Sequence, residues 1–309
     1  MHKDVKKIIK DIKSLKVQGA RNVARIAIDC LSITVKNSKT KNPRALYREL
    51  RETSDKLIAS RPTEPMMRNM IEKANHYAFD RKTSAKNIVQ LKKTLVTYYA
   101  TMNKRTDEDA KKLAEYGARL IPQNALVLTH CHSSSVTKIL IKAKKMHKKF
   151  SVVCFETRPR YQGRKTATEL AKAGIDVTLS VDGGMNLYMK KADIVLVGAD
   201  SITSRGDLIN KIGTSTLAHI ARMNDVSVYC AAELSKYSPM TIYGTREKIE
   251  ERDSKEVWEN PPKGVKIRNP AFEATAAKYI NGYVTELGVI PCQSFFAMAT
   301  QKLGIKLYE

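Results

Sequence analysis

Apolar residues recur at helical spacing over the first ~115 positions and then give way to short continuous runs. VKKIIKDIKSLKV (5–17) and AKNIVQLKKTLVTYYATM (85–102) set apolar positions three and four apart among lysines, which predicts amphipathic helices. SRPTEP (60–65) lies between them as a proline-marked turn. Later in the chain, ALVLT, SVVCF, DVTLSV, DIVLVGAD and VSVYCAAE have the length and composition of strands. SVTKILIKAKKMH, TATELAKAG and IGTSTLAHIARMN are the helices between them. The first of these buries Val136, Ile139, Leu140 and Ala143 and turns its lysines to water. Strand and helix alternating in this way predict a parallel sheet with helices on both faces. Right-handed crossovers then bring the carboxyl ends of the strands to one edge.

The expected architecture is α/β. An N-terminal helical domain covers 1–118, and a Rossmann-like parallel sheet with helices on both faces forms a catalytic domain over 119–309. GYVTELGVIPC predicts a last strand followed by a loop. Residues 235–270, with four prolines and many charges, predict an excursion outside the core.

Composition narrows the function classes. A chain of 309 residues with 42% apolar content holds a sizeable globular core. No apolar run reaches the ~18 residues of a membrane span. The charged start MHKDVKKIIKDIK lacks the apolar centre of a signal peptide. Five cysteines at irregular spacing form no disulfide framework. The expected location is the cytoplasm. The net charge of +24 implies anionic partners. Its lysines are spread along the chain, no RRM, KH or zinc-finger signature is present, and aromatics are 6%. A small anionic substrate in a basic cleft fits this charge as well as nucleic acid does.

Candidate chemistry gathers at the predicted strand ends. ALVLT leads to His130-Cys131-His132, SVVCF to Glu156-Thr157-Arg158-Pro159, and DVTLSV to Asp182-Gly183-Gly184. DIVLVGAD ends at Asp200, and VSVYCAAE at Glu233 with Lys236 close behind. Adjacent residues of an extended chain face opposite ways, so the His-Cys-His run does not converge on one ion, and no metal is expected. Cys154 and Cys230, inside apolar runs, pack as small hydrophobes. Cys131 instead stands where open α/β sheets hold their ligands, beside a helix start that favours thiolate. Asp200 follows an apolar wall that would raise its pKa and make it a proton donor. A helix cap or turn aspartate is the alternative there. Asn210-Lys211 and Ser133-Ser134-Ser135 read as two helix starts able to hold phosphate, which suggests a substrate with two anionic ends. Gly19-Ala20-Arg21 and Arg61 add cations from the helical half.

THCHSSS (129–135), ETRPRYQGRKTATELAKAGIDVTLSVD (156–182) and VGADSITSRGDLINKIGT (197–214) together resemble the translation initiation factor 2B alpha/beta/delta family. The likeness runs from VQGARNVAR (17–25) to YVTELGVIP (283–291). That family includes archaeal ribose 1,5-bisphosphate isomerases, methylthioribose-1-phosphate isomerases and non-catalytic regulatory subunits. Regulatory members lack the catalytic cysteine and aspartate, whereas this chain has Cys131 and Asp200. His130-Cys131-His132-Ser133 is similar to the bisphosphate enzymes, where the methylthioribose enzymes carry His-Cys-Asn. The resemblance therefore implies an enzyme, an isomerase turning ribose 1,5-bisphosphate into ribulose 1,5-bisphosphate, with Cys131 as base and Asp200 as acid. It implies substrate contacts at Gln18, Gly19, Ala20, Arg21, Arg61, Ser133, Ser134, Ser135, Asn210, Lys211 and Lys236, and no cofactor or metal. Archaeal isomerases read Arg-Gly-Ala where this chain reads Gln18-Gly19-Ala20, so one cation is lost beside Arg21. The resemblance also implies homodimers, three of which form a hexamer, with AMP breakdown upstream and ribulose-bisphosphate carboxylase downstream. The competing readings are a methylthioribose-1-phosphate isomerase and a regulatory protein binding initiation factor 2 or RNA.

Overall fold

The computed structural model describes residues 1–84 and 87–304. The chain divides into two compact units, Met1–Asp109 and the part from Ala110 onward. The first is helical: α1 (Lys3–Lys13), α2 (Ala20–Asn37), α3 (Pro43–Ser60), α4 (Pro65–Ser84) and most of α5 (Ile88–Leu120). Its core takes Val23, Ala27 and Leu31 from α2, Leu46, Leu50 and Leu57 from α3, and Met67, Ile71 and Ala74 from α4. Spacings of three, four and seven put each set on one helix face, and each buried aliphatic side chain contributes about 1.5–3 kcal/mol. Local chemistry sets the helix ends. Asn42 accepts the amides of Arg44 and Ala45 ahead of Pro43. The turn predicted at 60–65 separates α3 from α4. The segment predicted over 85–102 begins on two residues outside the described ones. From Ile88 it is helical and continues to Leu120, so the expected boundary at 118/119 falls in the last turn of α5.

The second unit is a mostly parallel seven-stranded sheet. Its strands are β1 (Ala125–His130), β2 (Phe150–Phe155), β3 (Asp176–Ser180), β4 (Ile194–Gly198), then, past the short β5 (Ser201–Ile202) and β6 (Leu208–Lys211), β7 (Ser227–Ala231). After β8 (Phe272–Thr275), the sheet is completed by β9 (Gly282–Thr285) and β10 (Gly288–Ile290). The order is β10-β9-β7-β4-β1-β2-β3, with β10 antiparallel to β9. The chain builds outward from β1 to β3, then returns to β4 on the other side of β1. The switch point between β1 and β4 is where sheets of this kind open a ligand crevice. Register keeps the strand ends level: His130 pairs with Phe155, Phe155 with Ser180, and Gly198 with Ala231.

Helices cover both faces, as the alternation predicted. The end of α5, α6 (Ser134–Lys145) and α7 (Gln162–Lys172) bury Leu113, Ile139, Leu140 and Leu170 on one side. α8 (Met185–Met189), α9 (Thr214–Met223) and α10 (Phe295–Leu303) bury Met185, Leu217 and Phe295 on the other. Three sequence expectations are corrected. The tail is not a strand and a loop but a hairpin, β9 and β10 joined through Glu286-Leu287 with Gly288 opening β10 at φ +125°, followed by α10. A second, antiparallel sheet, β5-β6-β8, takes Asn210-Lys211, expected at a helix start, into strand β6. The excursion at 235–270 begins inside the core, because Tyr237 is fully buried among Ile202, Leu234 and Phe295. Among the described residues no helix is long and apolar enough to cross a membrane.

Candidate functional site

Cys131 follows β1 directly, in the left-handed region with φ +66°. Its backbone is held at both ends. Its N–H donates to Thr157 Oγ1 (2.8 Å), and its carbonyl accepts from Thr166 Oγ1 (2.8 Å). Thr157 is left-handed too, at φ +65°, a costly geometry for a β-branched residue. Its hydroxyl donates to Phe155 O (3.0 Å) at the end of β2. The Asp182 carboxylate, just past β3, accepts the amides of Thr157 (2.8 Å) and Arg158 (2.7 Å). Three strand ends are thus stitched around one half-buried thiol.

Burial decides the electrostatics of that thiol. It pushes the Cys131 pKa up to about 11, with Asp200 and Asp182 adding to the rise. Lys211 and the His132 amide pull the other way without prevailing. The expectation that a helix start and nearby cations would depress it is overturned, because desolvation outweighs them. His130 is buried and its pKa falls to about 4, by burial first and then by Lys211, against the pull of Asp182 3.8 Å away. The imidazole is neutral at pH 7. His130 Nδ1 is buried with no hydrogen-bond partner among the described residues. His132 meets Thr166 Oγ1 (3.1 Å) through Nδ1 and Glu169 (3.8 Å) through Nε2.

Asp200 stands two residues past β4, half-buried, its amide donating to Ile209 O (3.0 Å). Gly198 brings this strand end against the start of α6: a Cβ there would stand 2.5 Å from Ser133 Cβ and Oγ. Ser133 caps α6 by accepting the Val136 amide, Ser134 is exposed, and Ser135 is buried. Lys236 is 6% exposed; its ammonium donates to Ala199 O (2.7 Å) and pairs with Glu233 (3.6 Å).

Asn210 and Lys211 are not at a helix start. They close strand β6, opposite Glu273 and Phe272 of β8. The start of α9 behind them is already filled, since Glu273 Oε1 accepts the amides of Gly213 (2.7 Å) and Ser215 (2.8 Å). Lys211 is nevertheless buried, 4.8 Å from the Phe272 ring centroid and within electrostatic reach of Cys131. Asn210 Nδ2 donates to Thr214 Oγ1 (3.0 Å).

The remaining sequence-predicted residues belong to the helical unit. Gln18 donates to Leu15 O (2.7 Å), Gly19 with φ +87° precedes Ala20 at the start of α2, and Arg21 is buried. Arg61 ends α3 and pairs with Glu64 (2.6 Å). Within the second unit, Cys131, Asp200 and Lys211 share one electrostatic neighbourhood, with Ser133 against the end of β4. A thiol, a carboxylate and a buried cation in one field are the kinds of group that general acid–base chemistry uses. Sequence reasoning missed Thr157, Thr166 and Glu273 as supports. The first two lie within ETRPRYQGRKTATEL, but nothing local marks them as partners of Cys131.

The model of the Initiation factor 2 subunit family matches residues 16–292. The chain is 35% identical over 307 residues to the ribose 1,5-bisphosphate isomerase of Pyrococcus furiosus, spanning 98% of this chain and 95% of that protein. Its fold is similar to the solved structure of 5-methylthioribose 1-phosphate isomerase from Pyrococcus horikoshii OT3, with a TM-score of 0.80 and 26% identity over 97% of this chain and 87% of that one. It is also similar to a translation initiation factor eIF-2B from the same organism, with a TM-score of 0.79 and 28% identity over 94% and 98% of the two chains.

Proposed function

The chain belongs to the Initiation factor 2 subunit family, and from that premise we propose that it is a sugar-phosphate isomerase converting α-D-ribose 1,5-bisphosphate to D-ribulose 1,5-bisphosphate. One observation carries the chemistry: a single half-buried cysteine at the switch point of the sheet, electrostatically coupled to Asp200 and to the buried cation Lys211. The relative from Pyrococcus furiosus supports the substrate.

In the proposed reaction Cys131 as thiolate removes the C2 proton of the sugar. The bond from C1 to the ring oxygen breaks, and Asp200 protonates that oxygen as it leaves. The proton then returns to C1 while the C2 hydroxyl gives up its own to Asp200 and becomes the ketone. Hydrogen moves from C2 to C1, and no outside oxidant enters. A thiol raised to about 11 holds its proton at rest. The reactive form is the one in which that proton has passed to Asp200, which makes the base and the acid in a single step. Lys211 favours that form by attracting the thiolate.

Ser133, Ser134, Ser135, Asn210, Lys211 and Lys236 are proposed substrate contacts, together with Gln18, Gly19, Ala20, Arg21 and Arg61. Arg61→Ala is expected to raise KM more than it lowers kcat. We further propose a cytoplasmic homo-oligomer of dimers, up to a hexamer, fed by nucleoside monophosphate breakdown and supplying a carboxylase; sedimentation reads the assembly directly. Methylthioribose 1-phosphate is the second reading, favoured by the likeness to a solved isomerase of that substrate.

The test is turnover of both sugars by the purified protein, with ribulose 1,5-bisphosphate detected through carboxylase-coupled fixation. Conversion of the bisphosphate alone, lost in Cys131→Ser and in Asp200→Asn with folding preserved, is the expected result. Conversion of the thioether sugar alone would replace the substrate. Silence with both would return the protein to the regulatory reading.

A further inference from the structure

Asp182 is an unusual carboxylate in this chain. Lys and Arg number 55, yet among the described residues none forms an ion pair with it. Its partners among the described residues are two consecutive backbone amides, Thr157 and Arg158, and the His130 ring. The left-handed turn at Thr157 aims both amides at this one carboxylate and turns the Thr157 hydroxyl back toward the Cys131 amide. The hydroxyl can accept there because its own proton goes to Phe155 O. A continuous line therefore runs from Asp182 through Thr157 to Cys131, and a second contact joins Asp182 to the residue before it, His130. Gly213 packs against the same edge of that imidazole, since a Cβ there would stand 2.9 Å from His130 Nε2.

We propose that Asp182, acting through Thr157, is a positioning residue for Cys131, holding the strained turn that aims the sulfur and placing a negative charge beside it. This rests on Cys131 being the base and names the residue that sets its place. The groups acting on the sulfur are Lys211 from β6, Asp200 after β4, Asp182 after β3 and the His132 amide. Of these, Lys211 and the amide favour the thiolate, and the two carboxylates oppose it. Loss of the Asp182 charge then makes the thiol more acidic, while loss of the turn makes it a worse catalyst. A part that merely braced the loop would not produce that opposition.

The experiment compares wild type with Asp182→Asn, Thr157→Ser and Thr157→Val. Two readouts are taken: the pH profile of Cys131 alkylation by iodoacetamide, mapped by peptide mass spectrometry, and kcat and KM for ribose 1,5-bisphosphate. Mapping is selective because the other four cysteines are buried. In Asp182→Asn the alkylation midpoint should fall by about half a unit, roughly 3-fold faster labelling at a fixed pH below it. Its kcat should fall roughly 10- to 100-fold with KM within about 2-fold. Thr157→Val should lose kcat similarly, and Thr157→Ser, which keeps the hydroxyl, should stay within about 3-fold of wild type. An unchanged alkylation profile, or a shifted profile with unchanged kcat, overturns the proposal. So does Thr157→Ser being as slow as Thr157→Val, a comparison that stands even where Asp182→Asn does not fold. Normal turnover by Cys131→Ser would instead remove the base reading, leaving the alkylation comparison intact.

Discussion

Replacing Gly163 with alanine tests how closely the second unit must pack to hold Cys131. Gly163 lies in the first turn of α7, buried against the end of β2. An added Cβ would stand 1.8 Å from Phe155 O, 2.7 Å from Phe155 C and 3.0 Å from Glu156 Cα. These are backbone atoms of a strand paired on both sides, so no side chain can swing away. Contacts below 3.0 Å do not persist, and α7 must withdraw by at least about 1.2 Å. Thr166, three residues on, then loses its 2.8 Å bond to Cys131 O, and the carbonyl that anchors Thr157 is pushed at the same time. Overpacking costs about 1–3 kcal/mol, and two lost hydrogen bonds add about 1 kcal/mol each. We expect Gly163→Ala to lose roughly 3–5 kcal/mol in urea unfolding followed by circular dichroism. Turnover should fall about 100-fold, since the thiol moves on the scale of 1 Å. Gly174→Ala is the control: it meets open space and costs only its left-handed backbone, about 1 kcal/mol. A Gly163→Ala protein within about 1 kcal/mol of wild type, turning over normally, would refute the packing argument.

Other outcomes follow from single groups. Lys236→Met removes the ammonium that donates to Ala199 O (2.7 Å) and lies 3.6 Å from the buried Glu233 carboxylate, and should cost about 1–3 kcal/mol; a loss under about 0.5 kcal/mol in urea unfolding would show these contacts to be dispensable. His130 is kept neutral in the fold, its pKa lowered from 6.5 to about 4. Its contribution is therefore complete above pH 6.5 and lost as pH falls through 4, up to roughly 3 kcal/mol. His130→Gln should flatten that acid limb of the stability curve, and superimposable limbs would contradict the burial argument.

Much of this architecture was legible in local pattern. The change from helical spacing to short apolar runs near residue 124 separates helical from α/β sequence. The alternation of strands and helices identified the parallel sheet. Polar residues immediately after apolar runs singled out Cys131 and Asp200 as strand-end residues, and the register leaves those ends level. Such signals survive in one dimension because they depend on neighbours two to four positions apart.

The rest depends on residues far apart in the chain. Thr157 lies 26 positions from the Cys131 amide it accepts, and Glu273 lies 60 from the Gly213 amide it caps. The second sheet was missed because β6 pairs with β8 across more than 60 residues, and Asn210-Lys211 reads locally as a helix approach. The direction of the Cys131 pKa was misjudged for a related reason. A helix start and a nearby lysine are visible in sequence, whereas desolvation depends on every group packed around the sulfur. Sequence alone determined the helical half, the parallel strands with their intervening helices, and which reactive residues end those strands. Only the tertiary structure decided which backbone amides were already occupied and how much water the thiol retains, because both are set by distant segments meeting in space.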